Sequence, residues 1–216
     1  ERRALAKQPL AAGRLGAPCA STLMSIPTVC YEFFLSMAIL EILKYPEPTL
    51  QKTSAPVKNI TAQTVQLIDD MLDTMYAAPG VGLAAPQVGA LERIIVMDVD
   101  HENPHKQIYK LINPVVTRAE GEIIWEEGCL SVVDFTAEVK RAAQVEVVAL
   151  DENEKEFKIE AEGLLAVALQ HEIDHLDGKL FIDRISRLKR DLYSRRRKKM
   201  LKTGIEPPKE GARVMI

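Results

Sequence analysis

Residues 170–176 read Gln170-His171-Glu172-Ile173-Asp174-His175-Leu176, two imidazoles four residues apart with a carboxylate directly after the first. On a helix that spacing is about one turn, so both rings share a face and can bind one divalent ion. A catalytic ion needs three protein ligands and a position left open for water, so a third ligand must come from elsewhere. His101 and His105 are also four apart, but Pro104 and polar neighbours between them mark a solvent-facing loop. Cys129 is the better candidate. It stands in Glu126-Glu127-Gly128-Cys129-Leu130-Ser131, directly after a strand-like run. There Gly128 allows close backbone approach, and two carboxylates are odd company for a thiol that merely fills space. A third stretch, Gly80-Val81-Gly82-Leu83-Ala84-Ala85-Pro86-Gln87-Val88-Gly89, offers a flat backbone that another chain can approach, with Gln87 as its polar group. It lacks the Gly-Lys-Ser or Gly-Lys-Thr of a phosphate loop, and by itself reads as an ordinary Gly/Pro loop.

These residues need a frame. The flank Leu164, Leu165, Val167, Ala168 and Leu169 is apolar nearly all round, which predicts a buried helix from Leu164 to Leu176 stopped by Gly178. Ile60, Thr64, Leu67, Ile68, Met71, Leu72 and Met75 recur at three and four, an amphipathic helix ending near Ala77. Strands are expected at Arg93 to Val99, at Ile108 to Val116 with an interruption at Asn113-Pro114, at Glu122 to Trp125, Thr136 to Lys140 and Gln144 to Leu150, and at Lys155 to Glu160. Asp151-Glu152-Asn153 turns the last two into a hairpin. Pro46, Pro48 and Pro56 make Lys44 to Pro56 an extended arm that wraps the surface. A basic helix follows from about Ser186 to Lys202. The expected class is α+β: antiparallel or mixed sheets around a central metal-binding helix, with the basic helix at the C-terminal end.

The chain has 216 residues, 47% of them hydrophobic and with a formal net charge of -3, which suits one domain and argues against a DNA-binding protein. Three widely spaced cysteines, Cys19, Cys30 and Cys129, exclude a disulfide scaffold and favour a reducing compartment. Apolar runs fall short of the ~18 residues a membrane helix needs. Residues 1–36 show no sustained period and are read as a leader or spurious extension. Arg2, Arg3, Arg14, Ser21 and Ser25 fit a transit peptide loosely, whereas Glu1 and Glu32 do not. The expected division is therefore 1–36 leader, 37–202 catalytic domain and 203–216 tail, with a cytoplasmic location unless the leader is a genuine import signal.

The three motifs stand in the order seen in peptide deformylases, and the chain resembles a bacterial-type member of that family from Met37 to about Lys202. The resemblance implies removal of the formyl group from the N-terminal formylmethionine of nascent polypeptides, with release of formate. It implies Cys129, His171 and His175 as ligands of one divalent ion, ferrous iron in the cell, and Glu172 as general acid/base. Zinc, cobalt or nickel also suit a thiolate with two imidazoles. Gln87 and the Leu130 backbone N–H would stabilise the oxyanion, and the Gly82 region would hold the substrate backbone. The ion would acidify a water toward neutrality, Glu172 would carry its proton to the leaving amine, and one oxyanion donor is typically worth about 3 kcal/mol.

Candidates for a methionine pocket are Val81, Leu164 and Val167, the last standing one turn before His171. Gln170 and Asp174 are candidates for groups that orient the ligands, with Arg141 pairing Asp174. The chain departs from many bacterial relatives at Val133, where they carry Pro, and at Thr136, where they carry Arg; this bears on how the peptide beyond the methionine is gripped. From Arg184 to Lys202 there are ten basic residues and one acidic. Subtracting that +9 from the chain's -3 leaves -12 for the rest, and five consecutive basic residues suggest docking to ribosomal RNA near the exit tunnel. The rival reading is a zinc endopeptidase of the H-E-x-x-H kind. Such an enzyme usually takes its third ligand downstream, and no histidine follows His175.

Overall fold

In the computed structural model, residues 38–100, 103 and 105–204 are described. The leader, Cys19, Cys30, His101 and the tail beyond residue 204 lie outside them.

The β-branched runs form two antiparallel sheets. Five strands, β1 (Gly82–Ala84), β2 (Ile94–Met97), β3 (Tyr109–Glu120), β6 (Gln144–Leu150) and β7 (Glu156–Glu162), pair in the order β1-β2-β3-β6-β7. The remaining two, β4 (Ile123–Cys129) and β5 (Val132–Arg141), pair only with each other. With three helices the fold is α+β, as expected, and its one parallel contact among the described residues is the isolated bridge of Ala55 to Glu92.

Two local expectations change. The glycine-rich loop contains a real strand: Gly82 pairs with Met97 and Ala84 with Ile95, which fixes the loop on the sheet edge. The Asn113-Pro114 pair does not interrupt its strand. Asn113 takes φ +53 at a bulge between Ile112 and Val115, and its amide accepts from Val57 N at 2.8 Å and donates to Val57 O at 2.9 Å. A local breaker is thus kept in the ladder by tying down the arm.

Helix α1 (Ala62–Ala77) is capped by the Thr61 hydroxyl and buries Ile68, Met71 and Met75. They pack with Leu83, Ile94 and Val96 of the sheet; each fully buried side chain of this size contributes roughly 1.5–3 kcal/mol. Helix α2 (Gly163–Leu176) is buried from Ala166 to Leu176 except at Gln170. Val167, Leu169 and Ile173 join Ile95, Met97, Leu111 and Val147 in the main core. The helix ends where Gly178 adopts φ +71, and a Cβ there would lie 2.7 Å from the Gln51 carbonyl oxygen. The arm crosses the helix end at this point, and Ser54 N donates to Leu176 O at 2.8 Å.

Helix α3 (Arg187–Thr203) is the basic helix, with the Ser186 hydroxyl at its N-cap. It is not solvated all round. Tyr193 and Arg197 are buried: Tyr193 stacks on Phe135 at 4.7 Å and donates to Val133 O, and Arg197 Nε donates to Tyr45 O at 3.1 Å. The inner face of α3 therefore clamps the arm and β5. Lys189, Arg195, Arg196, Lys198, Lys199 and Lys202 face outward.

Candidate metal centre

One turn of α2 sets His171 and His175 with ring centroids 5.0 Å apart, and the β4-β5 hairpin brings Cys129 to them. One ligand atom from each of Cys129, His171 and His175 lies within 4.8 Å of the other two, and all three residues are buried. Cys129 Sγ is 3.2 Å from His175 Nε2. His171 Nδ1 is 2.8 Å from Glu127 Oε2, which places its proton on that nitrogen and turns the Nε2 lone pair inward. That buried Nε2 has no hydrogen-bond partner, and neither do the two carboxylate oxygens of Glu172. Buried polar atoms without partners are costly, so a thiol and two imidazoles converging in this way fit a divalent ion. Burial pushes Glu172 up to about 7, a rise that the Glu127 charge supports and that His171 and Arg141 oppose. A carboxylate near that value can both take and return a proton at neutral pH.

The strand edge and the turn after β4 complete the centre. Gln87 is 1% exposed, and its Oε1 accepts from Ala84 N at 2.8 Å. This orients Nε2 toward Ser131 Oγ at 3.2 Å and Cys129 Sγ at 3.6 Å. Gly82 packs so closely that a Cβ would lie 2.5 Å from Glu172 Oε1. Leu130, in the turn, packs half-buried against the core cluster that contains Leu83 and Ile68, and sits where a Gly80 Cβ would meet its Cδ1 at 2.7 Å.

Behind the candidate ligands runs a chain of charged pairs. Arg141 donates to Glu127 through Nε at 2.6 Å and Nη2 at 2.9 Å, and to Asp174 through Nη1 at 2.5 Å. Arg184 also donates to Asp174. Burial alone would raise Glu127, but the hydrogen bonds from Arg141 and His171 hold it below the ordinary carboxylate range. Asp174 is lowered in the same way against its burial by Arg184 and Arg141. Arg141 and Asp174 are expected here from the sequence, whereas Glu127 stands out there only as odd company for a thiol, without a role. The signal was there, since alternation along β4 puts Glu127, Cys129 and Trp125 on one face, opposite Glu126. Gln170 exchanges two hydrogen bonds with the Ala142 backbone, both at 3.0 Å, and so ties α2 to the end of β5.

Of the pocket candidates, Val81 and Val167 are fully buried in the main core, and Leu164 packs half-buried against it. A cavity of about 340 Å³ lies elsewhere, among Arg93, Gln170, Asp174, Asp177, Lys179 and Arg184, and none of the three ligand candidates lines it. At the two departures, Val133 O accepts from Tyr193, and Thr136 Oγ1 donates to Glu126 Oε1 at 2.8 Å. His105 packs tilted against Tyr76 with ring centroids 4.2 Å apart and is not among the converging ligand candidates.

An α+β frame with a Cys-His-His centre and a partner-free carboxylate beside it defines a metal-dependent hydrolase. The polypeptide deformylase family model matches residues 39–191. The chain is 52% identical over 166 residues to the peptide deformylase of Syntrophobacter fumaroxidans, covering 77% of this chain and 98% of that one. It is 54% identical to that of Thermodesulfovibrio yellowstonii, covering 74% and 97%. Among solved structures, the Legionella pneumophila peptide deformylase superposes with a TM-score of 0.73 at 45% identity, covering 79% of this chain and all of that one. The Ehrlichia chaffeensis enzyme in complex with actinonin gives 0.70 at 38%, covering 75% and 97%. The chain belongs to the polypeptide deformylase family, and it removes the formyl group from nascent peptides. The endopeptidase alternative is not favoured. Among the described residues no helix is long and apolar enough to cross a membrane.

Proposed function

We propose that Cys129, His171 and His175 hold one divalent ion, ferrous in the cell, and that Glu172 is the general acid/base of deformylation. The observation that carries this reading is the convergence of three buried ligand atoms beside a buried carboxylate without hydrogen-bond partners. When bound, the ion supplies an acidified water and a positive charge beside the developing oxyanion. Glu172 takes the proton of the attacking water and delivers it to the leaving amine nitrogen. Gln87 Nε2 and the Leu130 backbone N–H donate to the formyl oxygen as it gains charge. The edge of β1 at Gly82 holds the peptide backbone, and the methionine side chain goes to an apolar pocket with Val81, Leu164 and Val167 in its wall. Glu127 keeps the His171 tautomer, and Arg141, Asp174 and Gln170 fix α2 against the hairpin.

The Glu172→Gln variant tests this: it should keep a full complement of ion and lose turnover by at least ~100-fold. Turnover comparable to the parent protein would remove Glu172 from its role.

Docking to ribosomal RNA through α3 belongs to the same reading and is supported by the outward cations. Arg197 and Arg184 are occupied by Tyr45 O and Asp174, so Lys189, Arg195, Arg196, Lys198, Lys199 and Lys202 would carry it. A cytoplasmic site of action belongs to the same reading, with organelle import its alternative if residues 1–36 are a genuine transit peptide.

A further inference from the structure

Lys44 lies on the arm, outside every motif that points to the metal centre. Its Nζ donates to the Leu130 carbonyl oxygen at 2.5 Å. The arm is pinned on both sides of it: Leu43 N donates to Gln87 O and Tyr45 N to Ser131 O, both at 2.8 Å. From α3, Arg197 holds Tyr45 O. Exposed lysines seldom keep one partner, but this one projects from a backbone fixed at each neighbouring residue.

The Leu130 carbonyl and the Ser131 N–H are the two ends of one planar peptide group. That N–H donates to Cys129 Sγ at 3.4 Å. A cation on the oxygen draws electron density through the amide and strengthens the N–H as a donor, because linked hydrogen bonds polarise one another. Hydrogen bonds to a metal-bound sulfur, like other outer contacts, tune the ion the sulfur holds.

We infer that Lys44 is a positioning residue of the metal centre: through the Leu130–Ser131 peptide it strengthens the hydrogen bond on Cys129 Sγ, reduces the electron donation of the thiolate and keeps the bound ion a strong Lewis acid. The same contact fixes the turn that presents the Leu130 N–H. The arm and α3 thereby act on the chemistry without touching substrate. This inference rests on Cys129 being a ligand.

The test uses the full chain loaded with cobalt(II) and reads the sulfur-to-cobalt charge-transfer band in the near ultraviolet. In Lys44→Met, of similar length without the charge, the band should move to longer wavelength and bleach faster under hydrogen peroxide, because the sulfur is more electron-rich. Lys44→Arg should restore the parent position. Unfolding midpoints of both variants, compared with the parent, show whether the fold is kept. A Lys44→Met band and bleaching rate equal to the parent's would overturn the inference while leaving Cys129 a ligand. Absence of the band from the parent protein would overturn both.

Discussion

Gly82 and Glu172 are closer to each other than any residue with a side chain could stand at position 82. A Cβ at Gly82 would lie 2.5 Å from Glu172 Oε1, so Gly82→Ala must displace the carboxylate or the strand that carries it. A displacement of about 1 Å at the reacting groups costs on the order of 100-fold in rate. Formate release by Gly82→Ala should fall by about that factor with the unfolding midpoint little changed; equal loss of both would make Gly82 a packing residue only. Glu127 is the second residue where geometry makes a sharp forecast. Glu127→Gln keeps the shape, removes the charge between Arg141 and His171, and leaves a buried guanidinium short of a partner. Ion affinity measured by competition with a chelator should drop 10- to 100-fold. The convergence of His171 and His175 was legible in the sequence because their four-residue spacing is itself helical geometry. Glu127 and Lys44 were not assigned, because a carboxylate or an ammonium gains its function from whichever atom the tertiary fold brings to it.

Among the elements, α2 was readable almost to the residue, since the apolar stretch from Leu164 to Leu169 runs straight into two histidines at helical spacing. Strands β3 and β5 ran longer than their patterns suggested. In β3 the Asn113 side chain repairs the break with hydrogen bonds to Val57, a contact 56 residues away that no local pattern carries. A comparable long-range tie links α1 to the end of β2. Tyr76 donates to Asp98 Oδ2 at 2.6 Å, and the same oxygen accepts from His105 N at 2.8 Å. Burial would raise Asp98, but these hydrogen bonds outweigh it and hold the carboxyl below its ordinary value. The unfolded chain takes up this proton near pH ~3.9, above the folded pKa. The stabilisation is thus complete above that pH and is lost as pH falls through the folded value. The stability gap between the parent protein and Asp98→Asn, from urea unfolding, should be widest at neutral pH and close on acidification. A gap constant down to pH ~3 would contradict this.

At the scale of the whole molecule, composition separated an acidic body from a basic helix, yet it could not see that the helix has an inner face. Because Tyr193 and Arg197 brace the arm beside the centre, cutting the chain after Ser186 should lower turnover as well as any ribosome binding. Arg195→Glu with Arg196→Glu separates the two roles. Deformylation of a short peptide should be unchanged, while ribosome affinity falls and its salt dependence flattens by about 0.7–0.9 in slope for each phosphate the helix no longer neutralises. Unchanged affinity would take the helix out of ribosome docking. The α+β class and the motif order were both readable, whereas the pairing of β4 with β5 alone, which delivers Cys129 to α2, came only with the fold.

The most direct measurement follows formate and free amine when the ion-loaded protein meets a formylmethionyl tripeptide. Formate and amine should appear in equal amounts, with the internal peptide bonds intact. Cleavage of an internal bond without formate would contradict the account.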